Sequence, residues 1–589
     1  MEQGLINLHD LIMKSLLIDL FRSIGLGVAF GSIMAVVSSG FVLGVLYFTD
    51  LRNQMTILQG ELFGIPANPI VILWLLLAAT LVVATRRLAK IEGWQTPADS
   101  IYAAHMPDSQ LDHKKGFAST LAAFISASGG ASVGQYGPLV HFGGVMGSLF
   151  RRVTGGIFSM DVFIGCGVAG AISAGFGAPI AGIVFAHEAI IKHFSLRAIA
   201  PIAISSITAS ALGQYLFGSR QLFLLDFDPP DLFSSLPFLI GSGIVFGLVA
   251  VLFMVSVRFF VSIGKKSGLS VTTLTFSAAL VCGCVGMVFP QILGLGTQTI
   301  NDVFAGEQTY GFLLVLLVAK IVMTAVCLGW GLFGGVFSPA LLIGATSGMI
   351  SGKLLASAGF VGHIPVLSVG GLAAVSASII GAPMSAVLIV FELSGSYEFS
   401  VAAMICVVMS TLVSYLLFGH SYFTRQLIDR QIDITMGRGH LRMTKLPVTK
   451  YVRPSDFLSL DGASKIEVAI SQMVAAQVSE AYIVGDQNTF IGKVLLFKLM
   501  AAQQTLPKQG RQAWLEKPPL NVAEMVEPDP LVLDKESSVA AAIETASDFV
   551  GESIPVVDLK TQKLVGVITE SDLLQAYLEL QNDARAVEN

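Results

Sequence analysis

GAPIAGIVFAHE, residues 177–188, returns as GAPMSAVLIVFE, residues 381–392, with Gly, Ala, Pro and a terminal Glu at identical spacing 204 positions on. A second pair agrees: GPLVHFGGVMG (137–147) and SPALLIGATSG (338–348) both read Pro, four residues, Gly, three residues, Gly, at an offset of 201. Two pairs at nearly one offset mark duplicated halves, at about 70–220 and 270–420. Both copies are interrupted by Gly and Pro at matching places within apolar surroundings, a pattern that predicts a transporter whose substrate position lies where the halves meet.

The rest of the chain fits a membrane setting. Of 589 residues, 53% are hydrophobic, 13% are charged and 60 are glycine, with a mean hydropathy of +0.74. Apolar stretches of bilayer-crossing length run over 23–48, 69–85, 198–219, 234–257, 311–319 continuing as 321–352, and 401–419. The first is too long and glycine-rich for a cleaved signal peptide, so the amino end is expected to stay. Lys14 and Arg22 precede it and Arg86, Arg87 and Lys90 follow the second span, whereas the loop between holds only Arg52. The positive-inside rule then predicts that the first two spans form a hairpin with both ends in the cytoplasm; the chain is expected to be a multi-pass protein of the plasma (cell inner) membrane, embedded in lipid, with both termini cytoplasmic. Cys166, Cys282, Cys284, Cys327 and Cys406 lie in apolar segments without metal-ligand spacing and read as packing residues. A net charge of −5 without a basic run gives no reason to expect nucleic acid. From about residue 425 charges become frequent, and strand-like runs such as AYIVG (481–485) and SIPVVD (553–558) alternate with helical patterns. This tail has the length of one compact α/β domain.

The glycine-rich stretch GQYGPLVHFGG (134–144) poses a chemical question inside such a span. Unwound backbone is tolerated at membrane depth only where it is buried in protein or lines a wet cavity. A helix starting there directs unpaired N–H groups and a partial positive charge at whatever lies in front of it, which attracts anions. Pro138 and Pro339 suit the first helical turn, where an N–H is not needed. The competing reading is close helix packing through small residues.

The chain resembles the CLC chloride channels and chloride/proton exchangers over nearly its whole length. GGVFSP (334–339) is similar to the family's third anion-site motif, with Gly335, Phe337 and Pro339 in place and Val336 and Ser338 between them. GQYGP places Gly134, Gln135, Tyr136, Gly137 and Pro138 where the family has Gly-Lys/Arg-Glu-Gly-Pro. The first site motif reads GWQTP: Gly93 and Pro97 survive, and Trp94 stands at the place of a chloride-coordinating serine. SYFTRQL (421–427), aligned through Thr424 and Leu427, puts Phe423 at the family's pore tyrosine with Tyr422 adjacent, and leaves open which of the two lines the pore. The resemblance implies an all-α polytopic membrane domain with an inverted internal repeat over 1–430, chloride or another small anion as cargo, and a homodimer with one pore per subunit. It also implies that Gly335, Val336 and Phe337 offer N–H groups to the anion.

Two departures bear on mechanism. The family's gating glutamate is Tyr136, and the inner proton-transfer glutamate falls on Ala189, with Glu188 matching its neighbour. A phenol, with an ordinary pKa near ~10, stays neutral at physiological pH. Uncoupled, channel-like anion permeation gated by Tyr136 follows, with chloride/proton exchange through another group as the alternative. His141, His187 and Glu188 are the intramembrane candidates for that group, although the matching positions of Glu188 and Glu392 also suit a structural role. HEAII (187–191) begins like a zinc-protease motif, but Ile191 replaces the second ligand and His193 is off its helix face, so an intramembrane metalloprotease, a metal site and enzymatic activity are not expected. A cation transporter would need more converging acidic groups than Glu188 and Glu392 supply.

The tail resembles a cytosolic pair of CBS motifs, at 447–505 and 521–583, with linkers at 431–446 and 506–520. GVITESDLL (566–574) keeps the Gly-x-x-Thr-x-x-Asp pattern, whereas GKVLLFKLM (492–500) has Leu495 and Lys498 at the Thr and Asp places. The resemblance implies an adenine nucleotide site in which Asp572 holds the ribose and Thr569 a phosphate, with no cofactor required for transport. Helix capping by the same two residues is the competing reading.

Overall fold

A computed structural model describes residues 2–588 except 56–59, 63–64, 107–109, 219–221, 224–226, 228–230, 506–520, 528 and 550. The expected linker at 506–520 and the last residue of the expected span 198–219 lie outside the described residues. The chain forms two compact units, Met1–Ile432 and Asp433–Glu588.

The first unit is helical apart from a small hairpin of β1 (Gly60–Leu62) and β2 (Ile65–Ala67). Its first half contains α1 (Glu2–Gln54), α2 (Ile70–Ala89), α3 (Pro97–His105), α4 (His113–Ser128), α5 (Tyr136–Val153), α6 (Met160–Phe176), α7 (Pro179–Phe185) and α8 (Leu196–Phe217). The second half contains α9 (Leu232–Lys266), α10 (Val271–Val288), α11 (Thr297–Ala305), α12 (Tyr310–Gly329) and α13 (Phe337–Ser357), then α14 (Ile364–Ile380), α15 (Pro383–Ser394), α16 (Tyr397–Phe418) and α17 (Tyr422–Ile428). Among the described residues, eight helical stretches are long and apolar enough to cross a membrane. The chain is a multi-pass integral membrane protein.

One feature of this layout follows the Gly-Pro interruption read in the sequence, and a second goes beyond the spans read there. The apolar run 321–352 is broken: α12 ends at Gly329 and α13 begins at Phe337, with residues 330–336 unwound between them. Val271–Val288 is a further span. Cys284 on that helix is exposed, while the other four cysteines are buried.

The repeat glycines divide into two jobs. On α5, Gly143 lies so close to the Gly167 backbone of α6 that a Cβ would overlap it, and Gly344 on α13 meets the Gly371 backbone of α14 in the same way. These glycines allow the close helix packing that membrane interiors favour. They are the second members of the repeat signature, so duplication preserved a packing contact as well as a break.

The repeated glutamates exchange partners across the halves. Glu188, in a π-helical turn (Ala186–Ile191) that extends α7, accepts from Met384 N and Ser385 N, both at 2.9 Å, and from Ser385 Oγ at 2.6 Å. Glu392, on α15, accepts from Ile180 N at 2.9 Å and Ala181 N at 2.8 Å. Each carboxylate therefore satisfies orphan donors in the first turn of the other half's helix, just after its Pro, where negative charge also suits the helix dipole. This reciprocity is what a two-fold relation between the halves requires.

The second unit begins with α18 (Gly437–Lys445) and contains two small sheets of like topology. In one, β3 (Ser459–Asp461) pairs parallel with β4 (Glu480–Val484), which pairs antiparallel with β5 (Phe490–Leu495). In the other, β6 (Leu533–Asp534) pairs parallel with β7 (Ile554–Asp558), which pairs antiparallel with β8 (Lys563–Ile568). The helices are α19 (Ile466–Ala475), α20 (Leu496–Thr505), α21 (Val539–Ala546) and α22 (Glu570–Glu588). Leu460, Ala469, Ile483 and Val494 belong to one core, and Leu533, Ala542, Val556 and Ile568 to its counterpart.

Glu392→Ala is expected to destabilise the membrane unit by about 2–4 kcal/mol, since charge-assisted hydrogen bonds contribute roughly 1.5–3 kcal/mol each and are not additive. Glu392→Gln, which keeps one acceptor, should fall between the alanine variant and wild type. Denaturant unfolding in detergent micelles checks the order; equal stability of all three proteins would remove the capping role.

Candidate anion site at the junction of the halves

The unwound segments preceding α5 and α13 meet. Gly134 N donates to Gly335 O at 2.7 Å and Gly335 N to Gly134 O at 2.6 Å, a two-bond antiparallel bridge. A Cβ on Gly134 would lie 2.9 Å from Gly335 O and Ser338 N, and one on Gly335 would lie 2.9 Å from Gly137 N. Both positions therefore need glycine. Gln135 N donates to Ser338 Oγ at 3.4 Å, and Pro138 and Pro339 occupy the third position of their helices. The N–H groups of Tyr136, Gly137, Val336 and Phe337 remain among the first-turn donors that helical bonding does not use. Gly335 is a correction to expectation: its N–H is consumed by Gly134, so Val336 and Phe337 are the donors left in that motif.

Tyr136 closes this junction. Its side chain is 2% exposed; its ring stacks on Phe176 with centroids 3.9 Å apart and meets Phe337 edge-on at 5.5 Å. Phe176 touches Phe337 at 5.3 Å, and Phe185 stacks on the other side of Phe337 at 6.2 Å. The Tyr136 hydroxyl donates to Gly175 O at 3.3 Å. Sequence reasoning missed Phe176 and Phe185, although each interrupts a run of small and aliphatic residues beside the repeat.

The GWQTP segment contributes unevenly. Pro97 opens α3, its Cγ 3.7 Å from where a Gly137 Cβ would stand. Thr96 and Asp99 form a capping box, Thr96 Oγ1 reaches Gln426 Oε1 at 3.0 Å, and Asp99 pairs with Arg430 at 2.8 Å, so α3 and α17 are tied together. Gly93 is half-buried. Trp94 lies against Phe333 at 5.5 Å and lines a groove with Arg86, Arg87, Lys90 and Thr272. On α17, Tyr422 lines a separate groove with Arg258 and Val261, while Phe423 is 6% exposed.

The intramembrane titratable candidates are engaged. His141 is fully buried, with Nδ1 2.8 Å from Ser100 Oγ and Nε2 3.3 Å from Gln95 Oε1, partners that suit the neutral ring. His187 Nδ1 bonds the His193 carbonyl at 3.0 Å and its ring stacks on Phe194 at 5.1 Å. Ala189 is a buried methyl next to Glu188, whose carboxylate caps α15.

In the soluble unit, Thr569 and Asp572 bond each other at the start of α22: Thr569 N and Oγ1 donate to Asp572 Oδ2 at 3.0 and 2.7 Å, and Asp572 N donates to Thr569 Oγ1 at 3.2 Å. The remaining oxygen, Oδ1, receives Arg453 Nε at 3.1 Å and Nη2 at 2.7 Å. Burial raises the Asp572 pKa, but the hydrogen bonds from Arg453 and Thr569 outweigh it and hold the carboxyl below its ordinary value. At the equivalent place in the first sheet-helix unit, Lys498 pairs with Glu527 at 2.8 Å.

Duplicated membrane halves, two helix amino ends joined by a backbone bridge and a separate α/β unit define a polytopic anion-transport architecture with a second, smaller domain. The sequence pattern of the family described as "Voltage gated chloride channel" matches residues 74–415, and that of the CBS domain matches residues 522–579. The first match covers more than half of the sequence, and the chain belongs to the voltage gated chloride channel (CLC) family. It is 26% identical over 346 residues to a putative chloride channel protein ClcB-like of Ralstonia nicotianae, covering 57% of this chain and 80% of the relative. It is 29% identical over 343 residues to the H(+)/Cl(-) exchange transporter ClcA of Vibrio parahaemolyticus, covering 54% and 69%. A solved eukaryotic CLC transporter shares the fold with a TM-score of 0.60 at 19% identity, covering 94% of this chain and 98% of that structure. A slow cyanobacterial Cl-/H+ antiporter aligns with a TM-score of 0.61 at 20% identity, covering 69% and 98%.

Gly335→Ala should part the two unwound segments. Losing two backbone bonds worth about 1 kcal/mol each from the conducting arrangement corresponds to a roughly 30-fold fall in anion flux. Flux from proteoliposomes, with size-exclusion chromatography to confirm folding, measures this; near wild-type flux in a folded protein would show that the bridge is dispensable.

Proposed function

We propose that this CLC-type chloride transport protein conducts chloride, or another small anion, without coupling it to protons. The observation that carries the reading is Tyr136: at the junction of the helix amino ends stands a neutral phenol, stacked on Phe176 and hydrogen-bonded to Gly175 O, where a proton-carrying carboxylate would be needed. To pass a proton through phenolate at pH 7, a reference phenol must spend roughly 4 kcal/mol, about 1.36 kcal/mol per pKa unit above 7. Ala189 offers no proton at the second position, Glu188 is committed to the α15 cap, and both nitrogens of His141 have partners. In this reading Tyr136 is the gate. The anion rests on N–H groups of Tyr136, Gly137, Val336 and Phe337, with Pro97, Gln135, Ser338 and Phe423 shaping the path. The deep burial of Phe423, and the turning of Tyr422 into the α9 groove, favour Phe423 as the pore residue.

Coupled exchange is the second reading, because the Vibrio relative is named an exchanger. The basic residues flanking the first two spans support cytoplasmic termini in a plasma membrane. A homodimer with one pore per subunit and the domain boundaries stated for the two CBS motifs complete the proposal.

For the tail, we infer one adenine nucleotide position per chain, at Thr569 and Asp572. A ribose would compete with Arg453 for Asp572 Oδ1. Asp572→Ala should abolish binding of AMP to the full-length protein in calorimetry, and Arg453→Ala should tighten it; two equivalent sites, or an unchanged Asp572→Ala isotherm, would refute the assignment.

Flux from proteoliposomes with simultaneous pH recording decides the transport reading. A pH gradient at clamped voltage should move no net chloride. Tyr136→Ala should raise flux if the ring is a plug, and Tyr136→Glu should make flux pH-sensitive. A wild-type reversal potential that shifts with the pH gradient would establish exchange instead.

A further inference from the structure

Arg52, near the end of α1, is 4% exposed. Among the described residues its Nε and Nη1 have no hydrogen-bond partner, and Nη2 reaches only Asn53 Oδ1 at 3.4 Å. The guanidinium packs against Gly130, at φ +98, where any Cβ would collide with Nη1. On the other side of this contact, Gly294 N donates to Gly130 O at 3.2 Å, and the fully buried Lys320 donates Nζ to Ile292 O at 2.8 Å and Gly294 O at 3.2 Å. Two buried cations thus flank the segment 130–134, whose far end is the Gly134–Gly335 bridge.

Among the described residues, neither cation forms a salt bridge with a carboxylate. Cys282 and Cys327 are buried free thiols in the same region, but an ordinary thiol is neutral at pH 7. Lys320 places two of its three donors on carbonyls; Arg52 has two guanidinium nitrogens left. Buried charge without a counter-charge or hydrogen bonds is strongly disfavoured, so the Arg52 guanidinium calls for a negative species from outside the chain.

We propose that Arg52 forms a second position for a monatomic anion, chloride or bromide, beside the segment that leads to the junction, with Lys320 adding to the local positive field. Arg52 Nη1 lies close to where a Cβ on residue 130 would stand, and surroundings this close suit a small ion rather than an oxyanion. The proposal rests on the reading that the chain conducts small anions, and it adds an attracting station to that pathway. A positive site walled by low-dielectric protein concentrates anions locally.

The test uses full-length protein crystallised in bromide, with anomalous scattering recorded for wild type and Arg52→Met. Wild type should show a peak in contact with the Arg52 guanidinium, and the variant should lose it. In proteoliposomes the half-saturating chloride concentration should rise about tenfold in Arg52→Met, with Arg52→Lys intermediate and serving as the readout if the methionine variant does not fold. Absence of a bromide peak at Arg52 in wild type, or an unchanged half-saturation in a folded variant, overturns the proposal. So does an ultraviolet thiolate band that disappears in Cys282→Ser, which would make Cys282 the counter-charge. Flux driven by a pH gradient would sink the uncoupled reading while leaving a bromide peak at Arg52 intact; a missing peak with uncoupled flux preserved would sink this proposal alone.

Discussion

The membrane unit depends on one pair of backbone bonds, Gly134 N to Gly335 O and Gly335 N to Gly134 O. Breaking two helices within an apolar protein exposes peptide groups that no water can solvate, and leaving them unpaired costs more than a helix end can repay. The two breaks solve this by pairing with each other. Only glycine permits the approach, because a side chain on either residue would meet the other segment's backbone. Once paired, the segments hold the first turns of α5 and α13 together, and the donors that follow are left facing the same small volume.

The same economy governs the charged groups. Glu188 and Glu392 are half-buried in an apolar domain, where an ionised carboxylate needs strong partners, and each finds them on the opposite half's helix amino end. Their charge fixes the relation between halves. In the proposed anion pathway this would matter twice: carboxylates committed to helix caps would neither compete with the passing anion nor be available to shuttle protons. The aromatic cluster of Tyr136, Phe176 and Phe337 then closes the junction with neutral groups.

The repeat, the break at GQYGP and the α/β tail were legible because they leave local signatures: fixed spacing, Gly-Pro interruption and a change in charge density. What stayed hidden depends on partners distant in sequence. Nothing local distinguishes Gly134, which pairs backbones, from Gly143, which packs helices; both are glycines in one stretch, and only α6 and α13 separate their roles. The break before α13 was signalled by Pro339, but where α12 stops was not, because Leu332 and Phe333 continue the apolar run through it. Trp94, which alignment sets in the first site motif, lies against Phe333 and lines a groove beside α2, contacts that no local signal announces. The loss of the Gly335 N–H to Gly134 could be found only by bringing the halves together.

In the proposed pathway, replacing a carboxylate by a phenol changes the scale of the closing force. A carboxylate at the junction would compete with chloride as one anion against another, at an energy set by charge in a poorly screened interior. Tyr136 is held instead by its hydrogen bond to Gly175 O and by ring contacts. A neutral hydrogen bond is worth about 1 kcal/mol net, and an aromatic pair about 0.5–1.5 kcal/mol beyond burial. The total of a few kcal/mol is small enough for thermal opening and carries no proton. The hydroxyl that leaves Gly175 O is itself a donor, so the ring can exchange a carbonyl acceptor for the anion as it swings. Opening the junction and coordinating the anion can therefore be one movement, with its balance set by how strongly an anion accepts a hydrogen bond relative to a peptide carbonyl.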